Sequence, residues 1–135
     1  MTERELVQEL TKQIKDADIE GLFWHKLGDT FGGHKKPCDV IAAYMKHPFF
    51  LEFKKEGGTL TDSQREAMEK AALSGVIIYV CTFIKGRKHE RDILCRPYVG
   101  DKERDGFILK WDKGKYIDLE MFFPRLDFKF HQVRG

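Results

Sequence analysis

Between residues 49 and 83 the sequence reads as strand, helix, strand, and no other feature of the chain narrows its possible folds so far. Residues 49–54 form an aromatic-rich extended run, which Glu56, Gly57 and Gly58 break. Thr61 opens a helix whose third position, Gln64, completes a capping box; Ala67, Met68 and Ala71 lie inside it and Gly75 stops it. Residues 76–83 return as an apolar run of strand length. Two strands joined through a helix pair in parallel by a right-handed crossover. Just upstream, residues 38–45 read as a further strand and 46–48 as a turn, so 38–45 and 49–54 form an antiparallel hairpin. The expectation is an α/β fold with a mixed central sheet flanked by helices.

The flanking segments fit around this unit. Thr2 caps a first helix, with Glu5 completing its capping box, and Leu6, Val7, Leu10 and Ile14 make one apolar stripe. At 100° per residue Glu3 falls on the middle of that stripe, while Glu5 and Glu9 point away from it. Residues 22–26 read as a short strand leading into a loop with Gly28, Gly32 and Gly33. Beyond Lys85, strands are expected at 91–96, 106–111 and 116–122.

A length of 135 residues with eleven phenylalanines can fill one core, and no repeat or linker divides the chain, so one domain over 1–135 is expected. The longest apolar run, 76–84, is far shorter than the roughly 20 residues of a membrane helix. Cys38, Cys81 and Cys95 are odd in number, lack CxxC spacing and follow no signal peptide, which suits a reducing cytoplasm and no disulfide framework. The five histidines show no metal-ligand spacing, which argues against zinc. The net charge of +2 is uneven: 85–135 holds 13 basic and 9 acidic residues, which leaves 11 and 13 in 1–84.

Strand alternation puts Phe50, Glu52 and Lys54 on one side of the 49–54 run, with Leu51 and Phe53 on the other. Two charges on one face of so apolar a strand require a reason. Asp39, on the neighbouring strand, can converge with Glu52 on one Mg²⁺, which takes oxygen ligands and keeps several waters. Lys54 would then stand beside the attacking water or the scissile phosphate, where it stabilises developing negative charge. Taken alone, Glu-x-Lys on a strand is an ordinary cross-face ion pair.

Pro37-Cys38-Asp39 followed by Glu52-Phe53-Lys54 resembles the PD-(D/E)xK nuclease superfamily, and the strand-turn-strand-helix-strand order agrees. Residues 2–84 carry this resemblance, with 85–135 expected to add strands that complete the domain. It implies a restriction-endonuclease-like fold and a metal-dependent endodeoxyribonuclease using Mg²⁺, for which Mn²⁺ substitutes. Within the superfamily, Thr2-Glu3-Arg4-Glu5-Leu6-Val7 is similar to the opening helix of archaeal and phage Holliday junction resolvases. That likeness implies Glu3 as a further metal ligand beside Asp39, Glu52 and Phe53, which has only its main chain to offer. It also implies a homodimer acting on four-way DNA in recombination and repair, in a prokaryotic or phage-infected cell.

Rival readings stay open. The 57–64 stretch, two glycines followed later by Gln64, resembles the VRR-type nuclease domain, which implies flaps, ends or duplex as substrate. A DNA-binding module that keeps the fold without catalysis is a third reading. Glu3 could be a helix-end carboxylate, with Glu9 in reserve, and Gln64 could be a cap alone or a catalytic positioning group. His34, Lys35 and Lys36, together with Lys85, Arg87, Lys88 and Arg91, form two basic clusters that either contact phosphates or are solvated surface. Trp24 and Phe31 are read as core rather than base-stacking groups, and Lys55 as solvated.

Overall fold

The computed structural model describes residues 1–28, 38–86, 89–99 and 102–134, with 102 and 130–134 described by backbone alone. Helix α1 spans Glu3–Ala17, and Thr2 caps it: the Thr2 hydroxyl accepts from the Glu5 N–H at 3.2 Å while the Glu5 carboxylate turns back to Thr2. Its apolar stripe of Leu6, Val7, Leu10 and Ile14 is buried. Glu3 is half-buried and Glu5 exposed, as the helical projection predicts, but Glu9, projected away from the stripe, is half-buried as well.

Strands β1 (Leu22–Lys26), β2 (Val40–Tyr44) and β3 (His47–Lys55) follow as an antiparallel meander. The hairpin turn falls on Met45 and Lys46, earlier than 46–48, because both residues take positive φ, 49° and 73°, the backbone of a tight two-residue turn. His47 and Pro48 therefore join the ladder opposite Tyr44 and Ala43. Helix α2 covers Asp62–Leu73 behind a Thr61 capping box, and it stops at Gly75, whose φ of 88° only glycine adopts readily. Strand β4 (Ile77–Ile84) lies parallel to β3.

Strand β5 (Asp92–Val99) pairs antiparallel with β4 and carries two short partners, β6 (Lys102–Glu103) and β7 (Phe107–Leu109). The main sheet thus runs β1-β2-β3-β4-β5-β6, with β7 also on β5. The expected strand at 106–111 is interrupted after Leu109. Trp111 gives its N–H to the buried Asp92 carboxylate at 2.8 Å, and β8 (Trp111–Asp112) pairs instead with β9 (Lys115–Tyr116).

The strand expected at 116–122 is incorrect: after β9 the chain forms helix α3, Leu119–Arg134. Leu119, Phe122, Phe123 and Leu126 are buried at helical spacing, and that packing overrides the strand preference of the aromatic residues. The 85–135 segment therefore completes the fold with strands and a helix.

The result is a mixed central sheet between helices. Helices α1 and α3 share a core with Val40, Leu51, Phe53, Tyr79, Phe83 and Ile93 on one face. On the other, Met68 of α2 packs with Ile78, Val80 and Tyr98. Among the described residues no helix is long and apolar enough to cross a membrane.

Candidate active site

Strand β2 begins at Val40, opposite Leu51, so the ladder towards β3 stops one residue short of Asp39. Asp39 is nonetheless fixed by its own main chain: its N–H donates to Leu51 O at 3.1 Å and its carbonyl accepts from Leu27 N at 2.9 Å. Past the end of β2, the Phe53 N–H has no strand partner on that side, and Asp39 Oδ2 accepts it at 2.7 Å. This bond pins the carboxylate against β3 between Glu52 and Lys54 in sequence. The Phe53 ring lies on the opposite face, stacked on Phe83.

Glu52 and Lys54 point to the α2 side of the sheet, as alternation requires. Glu52 is only 5% exposed, a burial that a carboxylate tolerates only with polar partners. Gln64 supplies one: its Nε2 donates to Glu52 Oε1 at 3.1 Å. The same amide's Oε1 accepts from Lys54 Nζ at 2.9 Å and from Thr61 N at 2.9 Å. Lys54 Nζ is 4.0 Å from Glu52 Oε1, so the ammonium is bonded to the amide rather than seated in the carboxylate. Gln64 is both the cap of α2 and the link between Glu52 and Lys54, which unites the two roles that the sequence left open.

The carboxylates act on a common neighbour. Burial above all, then the charges of Glu52 and Asp39, pushes the buried Cys38 thiol up to about 12. The neutral thiol donates to Val40 O at 3.2 Å. Two carboxylates, one just ahead of β2 and one on β3, against one lysine ammonium, form a hard-oxygen, net-negative donor set that fits Mg²⁺ or Mn²⁺. Among the described residues no three His, Cys, Asp or Glu side chains form a metal-binding group, so this pair would rely on water and main-chain oxygen to complete a shell.

Glu3 occupies the first turn of α1; Met1, ahead of the Thr2 cap, accepts from Lys55 Nζ of β3 at 3.0 Å, but Glu3 does not gather with Asp39 and Glu52 into a metal-binding group among the described residues. The Lys55 side chain is exposed and also lies 3.8 Å from Glu90, so it remains a solvated charge that touches the residue ahead of the α1 cap. Glu9 lies farther along the helix and pairs with Arg91 at 3.5 Å. Arg91 also covers the Trp111 ring, its guanidinium carbon 4.6 Å from the centroid. Lys85 follows β4 at the same sheet end, its N–H bonded to Glu56. His34, Lys35, Lys36, Arg87 and Lys88, as well as Phe31, lie outside the described residues. Trp24 is a core group, bonded to Thr11 at 3.1 Å and set edge-on to Phe123.

Arg65 and Arg96, on the same side of the sheet as Glu52 and Lys54, were not singled out from sequence. Arg96 sits opposite Val80, which in turn pairs with Glu52, and nothing local to residue 96 reveals that register.

Compared with protein families and with curated proteins, the sequence matches none. Among solved structures the chain is similar to Hjc, a Holliday junction resolvase of the archaeal hyperthermophile Archaeoglobus fulgidus. The two are 16% identical over 94% of this chain and 98% of that one, with a TM-score of 0.48.

Proposed function

We propose that this chain is a divalent-metal-dependent DNA endonuclease in which Asp39 and Glu52 hold the cation and Lys54 stabilises charge on the scissile phosphate. The observation that carries this reading is the Gln64 amide, which binds Glu52 with one end and Lys54 with the other beside the anchored Asp39. An ordinary ion pair needs no such intermediary. A bridging amide keeps the ammonium oriented and out of the carboxylate, with its other N–H donors available to a phosphoryl oxygen.

A bound divalent cation supplies Lewis-acid polarisation of the phosphate and a water acidic enough to attack at neutral pH. The protein's own part is positional. Asp39 is locked by main-chain bonds on both sides, Glu52 by its burial and by Gln64, and Lys54 by the same amide. As negative charge grows on the phosphoryl oxygens, Lys54 lies where it can donate to them. Phe53 would contribute its main-chain oxygen; Glu3, which does not group with Asp39 and Glu52 among the described residues, would have to move towards the cation to add a further carboxylate.

The finer reading is a homodimeric Holliday junction resolvase that uses Mg²⁺, with Mn²⁺ able to replace it. Its support is the likeness of the Thr2–Val7 helix start to such resolvases. A closed two-fold dimer would present two identical sites to a near-symmetric junction. Gln64 also favours a second reading, a VRR-type nuclease acting on flaps, ends or duplex, because its bonds suit the glutamine of that motif. Incubation of labelled four-way junction and linear duplex with the protein and Mg²⁺ separates the two, since only the first predicts a preference for the junction.

For either nuclease, Asp39→Asn and Glu52→Gln should lower cleavage by at least about 100-fold, the scale on which a positioned catalytic group contributes. DNA binding should stay near wild type, because phosphate contacts hold DNA independently of the metal. Asn can still accept the Phe53 N–H, so Asp39→Asn tests chemistry rather than folding. Turnover retained in either variant removes that residue from the site; binding without cleavage in wild type with Mg²⁺ or Mn²⁺ would leave a non-catalytic DNA-binding module.

A further inference from the structure

A groove of about 400 Å³, with Lys54 on its wall, opens between the start of α2 and the strands β4 to β6, and apart from Lys54 the chemistry above leaves its lining unused. Lys54, Thr59, Arg65, Thr82, Arg96 and Glu103 supply its polar walls, three cations against one acid. Its position follows from register. Glu52 pairs with Val80 and Val80 with Arg96, so Glu52 and Arg96 stand in one row on one face of the sheet. At about 4.8 Å per strand their backbones are roughly 10 Å apart. That span matches a few nucleotides of a DNA strand at about 3.4 Å of rise each.

Both arginines are exposed, so neither guanidinium is consumed by the fold. Arg96 touches Glu103 at 3.5 Å, with the two side chains 46% and 35% exposed. Such a pair is weak and screened, and a phosphate, which meets the planar fork with two parallel bonds, displaces it readily.

We propose that this groove seats the sugar-phosphate backbone of the cut strand on one side of the scissile phosphate. Arg65 and Arg96 are its phosphate-binding residues, and Glu103 is the acid that Arg96 exchanges for phosphate. The assignment rests on the nuclease reading of the adjoining site, and its test does not require cleavage.

Binding of a fluorescent four-way junction and a duplex is measured by anisotropy, without divalent cation, across a series of salt concentrations, for wild type, Arg65→Ala, Arg96→Ala and Glu103→Gln. Each alanine variant should bind about 3- to 10-fold more weakly at low salt, with the slope of log affinity against log salt smaller by about one. Glu103→Gln should bind more tightly than wild type, and lysine at either arginine position should recover part of the loss. Matching thermal melts establish that these surface variants are folded. Unchanged affinities and slopes in both alanine variants overturn the proposal. So does weaker binding with an unchanged slope, or a wild type that binds no DNA. If arginine-dependent slopes appear but wild type never cleaves with Mg²⁺ or Mn²⁺, the groove stands as a DNA-contacting surface and the nuclease reading fails. Cleavage with unaltered slopes does the reverse.

Discussion

Gln64 carries more of the site than its side chain suggests. One amide satisfies the Thr61 N–H at the start of α2, the Lys54 ammonium and the Glu52 carboxylate, which couples a helix cap to the charged cluster. Substitution can separate these tasks. In Gln64→Glu the capping box survives, since glutamate serves at that position as well as glutamine. The donor towards Glu52 is lost, and a second carboxylate replaces it. With Glu52 buried beside this new carboxylate, thermal stability should fall even though the cap is kept, and cleavage should fall about 10- to 100-fold, within the range of a positioning group near the chemistry. Single-turnover assays beside thermal melts would check this; cleavage at the wild-type rate would reduce Gln64 to a cap. The sequence allowed either role, because the spacing from Thr61 and the spacing from Lys54 are satisfied together only once α2 is laid across β3.

At the level of elements, the segment from Val40 to Ile84 was legible and the segment beyond Asp92 was less so. Local signals governed the first: a capping box, a glycine stop and period-two alternation each agreed with the packing. In the second, Leu119, Phe122, Phe123 and Leu126 carry a helical period inside a run whose aromatic residues favour strand, and only the empty face beside α1 decides between them. The same holds for Arg96, whose place near Glu52 depends on β5 pairing with β4. Helix α3 is also tied to the sheet through the buried Tyr79 hydroxyl, which donates to Leu126 O. Burial first, with nearby negative charge adding to it, raises the Tyr79 phenol above the ordinary tyrosine value. The folded state thus favours the protonated phenol. Its contribution to stability is complete below the unfolded value of about 10 and is lost as pH rises through the higher folded one. Urea unfolding between pH 8 and pH 12 should show wild type losing stability at the alkaline end more steeply than Tyr79→Phe. Parallel curves would show that Tyr79 does not set this dependence.

Across the whole molecule, two layers of helix on a mixed sheet leave one sheet end where Asp39, Glu52 and Lys54 come together against the start of α2. The charge asymmetry of the sequence takes form here. The acidic excess of residues 1–84 includes the two carboxylates of the site, and the basic residues Arg91 and Arg96 enter from the later half through β5 and the turn before it. That arrangement suits an anionic polymer approaching a cation held by carboxylates. The direct measurement is anomalous X-ray diffraction from crystals soaked in Mn²⁺, with Asp39→Asn crystals as the control. The account predicts a peak between Asp39 and Glu52, at about 2.0–2.3 Å from an oxygen of each, as expected for a small hard cation, and no such peak in the variant. Crystals of active protein with no cation between these two carboxylates would contradict it.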